Sequence, residues 1–211
     1  MSDCCEDKGC AIEALRTRQS GTLKAVLWIN AVMFVAVSAA GLYASSSALL
    51  ADALDNLGDA LTYALSLYAV GRGERAKGAV SLVKGLLILG AALFVVAQIG
   101  YRVLHPGVPL FEAMAGMAVL GLAANGTCLA LLWKHRAEDV NMASVWECSR
   151  NDIASNLAVL AAAGGVALAG AGWPDLVVGA LLAALFLRSA ARVLRASLAA
   201  LRSPRGPVGA R

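Results

Sequence analysis

Three aspartates, Asp52, Asp55 and Asp59, recur at intervals of three and four residues in an otherwise apolar stretch. At about 100° per residue, these intervals keep all three within about 60° of arc on one helical face. Carboxylates so close repel when all are ionised, so either some hold protons or a cation sits among them. A second group follows later in the chain: Glu147, Cys148, Arg150, Asn151 and Asp152. Cys148 and Asp152 are four apart and share a face, as Asp55 and Asp59 do. Two helices that each offer such a pair can converge on one tetrahedral ion. A thiolate beside carboxylates suits zinc, or a softer neighbour such as cadmium, better than magnesium or calcium.

Plainer readings stand beside these. Asp52 lies close to Ser45-Ser46-Ser47, where a carboxylate can simply cap a helix N-terminus. Asp59 is more than two turns into the span, too deep for that role. Cys148 alone would read as a buried thiol; its spacing to Asp152 argues for a ligand. Near the N-terminus, Cys4, Cys5 and Cys10 lie among Asp3, Glu6 and Asp7, three thiols able to capture a soft metal. Their spacing is not that of a closed four-ligand zinc site, and a disordered acidic tail is the alternative. His105 and His135 read as solvated loop residues, and Cys128, Tyr63 and Tyr68 as packing. Trp28, Trp133 and Trp173 fall near span ends, where aromatic anchors are expected.

The elements that must position these groups are membrane spans. The chain has 211 residues, 59% hydrophobic and 15% charged, with a mean hydropathy of +0.70. Soluble domains are about 45–50% apolar and about 25% charged. A spanning helix needs roughly 20 apolar residues. Six such segments are read: Leu23–Tyr43, Ser47–Val70, Val80–Val103, Phe111–Trp133, Val145–Ala171 and Asp175–Leu194. The expected fold is therefore all-α, a polytopic membrane protein with six transmembrane helices. The segmentation is a polar Cys-containing tail (1–20), a six-helix domain (21–200) and a short basic tail (201–211). A large soluble catalytic domain is excluded, and so is a secreted disulfide scaffold with five cysteines, two of them in apolar stretches.

Sixteen of the 18 lysines and arginines fall on one side of this arrangement, including Arg72, Arg75, Lys77 and Lys84 around the second connection. Arg102 alone sits on the other side, and Arg150 falls inside the fifth segment. The positive-inside rule puts both termini in the cytoplasm. These charges flank spans and form no separate stripe, which reads as lipid contact and not nucleic-acid binding.

The stretch Leu50-Ala51-Asp52-Ala53-Leu54-Asp55-Asn56-Leu57-Gly58-Asp59 resembles the second-helix signature of the cation diffusion facilitator family. The fourth segment is similar too, with Glu112 opening it and Gly121-Leu122-Ala123-Ala124-Asn125 within it. In the fifth, Asn141-Met142 leads to Cys148 and Asp152 at the family's spacings of seven and four. The resemblance covers roughly residues 20–200. It implies a divalent-metal transporter, not an enzyme, with a tetrahedral site formed by Asp55, Asp59, Cys148 and Asp152. Asp52, Asn125 and Glu147 are its possible accessory residues. It further implies metal/proton antiport and a homodimer in a bacterial inner membrane. The cargo expected is zinc or cadmium, with cobalt, lead, nickel and iron also open, and no resident cofactor. Cys148 stands where the family commonly has His or Asp, which favours a thiophilic ion. The chain ends soon after the sixth segment, so the family's usual cytoplasmic metal-binding domain is expected to be missing.

Two rival readings remain. Asp52 and Asp55 form an Asp-x-x-Asp pair such as a membrane-embedded magnesium-dependent transferase uses. However, Asn56 follows where that pattern has Gly, and no Arg appears before Arg72. A non-transporting metal sensor or assembly protein is the other, and it leaves costly intramembrane carboxylates without a purpose.

Overall fold

The computed structural model describes residues 20–69, 74–133 and 142–202. Six helices fill them: α1 (Ser20–Tyr43), α2 (Ser47–Ala69), α3 (Glu74–Leu104), α4 (Phe111–Trp133), α5 (Met142–Ala169) and α6 (Trp173–Arg202). There is no strand among the described residues. Five of the six are long and apolar enough to cross a bilayer. The sixth, α2, has 23 residues, about 35 Å of helix, but carries the three aspartates. α3 and α6 run beyond their expected apolar stretches. In α6, Arg188, Arg192 and Arg195 continue the helix with side chains long enough to reach a headgroup layer.

α2 is the hub, touching every other helix, while α3 pairs with α6 and α4 with α5. Polarity is inverted relative to a soluble bundle. Trp28, Leu87, Phe94, Leu120 and Leu181 are exposed, whereas Asn30, Asp52, Lys84, Asn125 and Asn156 are buried. A lipid surround explains both halves, since hydrocarbon accepts the exposed side chains and polar groups must find partners inside.

The α1–α2 turn shows how tightly the hub is held. Ser45 adopts φ 56°, and Ser46 N–H reaches Gly41 O at 2.9 Å while Ser45 N–H reaches Leu42 O at 3.3 Å. These two bonds close α1 as a Schellman cap. Gly41 lets the helices approach, because a Cβ there would meet Leu50 at 3.0 Å. The α3–α4 connection joins the same end through Leu110 N–H to Ala44 O at 3.0 Å.

Candidate functional site

Asp52 lies one and a half turns into α2, is 1% exposed, and neither carboxylate oxygen has a hydrogen-bond partner among the described residues. It does not cap the helix. That role belongs to Ser46, whose Oγ accepts from Leu49 N–H at 3.0 Å. Asp175 of α6 completes the cap, accepting from Ser46 Oγ at 2.5 Å, Ser47 N–H at 2.7 Å and Ala48 N–H at 3.0 Å. The capping alternative for Asp52 is thus removed, and a buried carboxyl is left facing the bundle interior.

The charge acting on it lies on α5. Asp152, 9% exposed, comes within electrostatic reach of Asp52. The two helices repeat one local pattern. On α2 the Asn56 amide donates to the Asp52 carbonyl at 3.5 Å, and on α5 the Asn156 amide donates to the Asp152 carbonyl at 2.9 Å. Each helix therefore presents Asp-x-x-x-Asn with the asparagine tied back one turn. Asn156 is fully buried and its Oδ1 has no hydrogen-bond partner among the described residues. It rests where a Cβ on Gly121 of α4 would stand, so the glycine makes its place. Asn125, one turn along α4 from Gly121, is buried as well.

Asp55 and Asp59 are half-buried on the same helix as Asp52. Among the described residues, no three His, Cys, Asp or Glu side chains gather closely enough to hold a metal ion. Asp55, Asp59 and Asp152 thus form no ready-made cage by themselves. α5 runs through positions 147–150, but the side chains of Glu147, Cys148 and Arg150 lie outside the described residues. So do Cys4, Cys5, Cys10 and His135.

The cation efflux transmembrane domain model matches residues 23–202, all six helices with little to spare. The chain belongs to the cation efflux family. It is accordingly a multi-pass membrane protein that transports metal cations. A search of curated proteins finds no significant match.

Two features of this cation efflux protein escaped the sequence reading. Asp175 was read only as the start of the last span, although an acidic residue in a helix's first turn is a recognisable signal. Lys84, counted above among the loop charges that orient the chain, is 8% exposed. It packs between helices and donates to Thr62 Oγ1 on α2. Lys84 already falls within the expected span Val80–Val103, and in the structure it is the eleventh residue of a continuous helix that starts at Glu74. Among the plainer readings, Cys128 is buried beside Leu23, Val26 and Tyr63, its sulfur 3.8 Å from the Asn30 amide. His105 is exposed and stacks on Tyr101, ring centroids 4.4 Å apart.

Proposed function

We propose that this protein exports divalent heavy-metal ions, zinc or cadmium in character, in exchange for protons. The observation that carries the reading is a buried Asp52 on α2 within electrostatic reach of Asp152 on α5, inside a bundle of the cation efflux family. Ionisable side chains at such depth cost roughly 2.5–3.5 kcal/mol each on lenient insertion scales, so their retention points to use.

Asp55, Asp59, Cys148 and Asp152 supply the donors, a pair from each helix. Among the described residues no three such groups gather, so in this reading loading draws the α2 pair and the α5 pair onto one ion. A thiol must lose its proton to bind, and crowded carboxyls lose theirs, so each loading event releases protons. Asp52 lies on the access route, with Asn125 and Glu147 as polar neighbours. α2 and α5 then move relative to the remaining helices and expose the ion to the opposite side, where protons displace it. The excess of basic residues at one end favours cytoplasmic termini, in a bacterial inner membrane. The working unit is a homodimer.

Proteoliposomes with an imposed pH gradient test the assignment. Asp59→Ala, folded by size-exclusion and circular dichroism, is expected to abolish zinc and cadmium flux. Undiminished flux in that variant would remove Asp59 from the site.

A further inference from the structure

Lys84 is a buried cation that the proposed transport cycle does not yet use. Its ammonium lies between helices, buried in the bundle, where an ionisable side chain is costly and a functional role is the default expectation. Its bond to α2 is informative. Lys84 donates to Thr62 Oγ1, and Thr62 Oγ1 in turn donates to Gly58 O at 2.7 Å. Thr62 follows Asp55 and Asp59 at intervals of seven and three, so all three share one face of α2. The ammonium is thereby anchored about one turn, ~5 Å along the axis, from the position of Asp59. The neighbouring turn of α3 is also seated on this face, because a Cβ at Gly58 would meet Ile88 Cδ1 at 4.0 Å. One residue on from Lys84, Gly85 packs against α6, where a Cβ would meet Leu194 and Val193. α3 thus packs against both α2 and α6 around the lysine, which is buried at 8% exposure.

We infer that Lys84 is a tethered counter-cation for the acidic face of α2, against which the cargo metal must compete. The inference rests on the transport reading above. A fixed positive charge beside the aspartates lowers the affinity for a divalent ion and keeps the site from holding its cargo too tightly to release it. Lys84 touches no cargo in this role and acts by positioning charge. Thr62 is the fixed point that keeps the ammonium at its level.

Cadmium titration of the purified protein in nanodiscs, followed by flux in proteoliposomes, separates charge from shape. Lys84→Gln keeps an N–H donor for Thr62 and Lys84→Met keeps the stem; both remove the charge, whereas Lys84→Arg retains it. Both neutral variants are expected to bind cadmium about tenfold more tightly, because a unit charge near the site acts on a divalent ion through a low-dielectric interior. Lys84→Arg is expected to stay near wild type. Flux at saturating cadmium falls in the neutral variants as release slows. Damaged packing would weaken binding, so a gain in affinity is not a consequence of mere misfolding. Wild-type affinity in a folded Lys84→Gln protein would overturn the assignment of Lys84 alone. No cadmium binding by the wild type would overturn the transport reading beneath it.

Discussion

Asp175 of α6 holds Ser46 at the N-terminus of α2, with 2.5 Å between its Oδ1 and the serine Oγ. Two further bonds run from Asp175 to the first backbone amides of α2, which otherwise have no intrahelical acceptor. Arg102, the basic residue at the far end of α3, comes within electrostatic reach of the same carboxylate. The helix that carries the aspartates is therefore pinned at one end by the α3–α6 pair. Motion of α2 during transport must either carry this pin along or break it.

Removing the pin tests its strength. Asp175→Ala is expected to destabilise the bundle by about 2–3 kcal/mol, since charge-assisted bonds and a helix cap are lost together. Ser46→Ala costs about 1 kcal/mol. The double variant is expected to lose less than the sum, because the two side chains bond each other. Thermal unfolding in detergent, run as a double-mutant cycle, measures this coupling.

Asp52 should behave in the opposite way. Its carboxylate has no hydrogen-bond partner among the described residues, so replacing it with an amide forfeits no such bond. Asp52→Asn is expected to fold with wild-type or higher stability and to transport at least about tenfold more slowly, as a functional intramembrane acid would. Melting temperature and proteoliposome flux on one preparation check both halves.

Glycines separate close approaches from open helix surface. At Gly179 of α6 a Cβ would meet the backbone of Ser47 and Ala48 at 2.8 and 3.0 Å, atoms that cannot move aside. Gly90 of α3 has nothing within 4 Å. Gly179→Ala is expected to cost about 1–3 kcal/mol. Gly90→Ala is expected to be neutral or to stabilise by up to about 1 kcal/mol through helix propensity. Paired melts of the two variants read the contrast directly.

The proposed site gives Cys148 the role of setting which metal is preferred. Competition binding on Cys148→His and Cys148→Asp is expected to shift preference from cadmium towards zinc and harder ions, because thiolate favours soft cations. An unchanged ranking would take Cys148 out of the coordination sphere.

Several of these groups are legible in the linear chain. The spacing of Asp52, Asp55 and Asp59 announces a shared helical face, and Asp152 four residues after Cys148 announces a second. The pattern Asp-x-x-x-Asn on α2 and α5 was equally available at i, i+4 but went unread, because asparagine at that spacing is usually a surface residue. Lys84 falls inside the expected span Val80–Val103 and could have been singled out as an intramembrane cation; its partner Thr62 on α2 could not.

Composition by itself determined the solvent, the helix count and the helical faces that carry carboxylates, because hydrophobic run length and 3.6-residue periodicity are local properties of the chain. Tertiary packing decided what each face meets. It set Asp52 against Asp152, gave the cap of α2 to Asp175, 128 residues from Ser47, and buried Lys84 against Thr62. Such pairings join residues of different helices, and only the docking of whole helices brings their side chains near one another. Local periodicity places a charge on a face; the partner of that face is a property of the bundle.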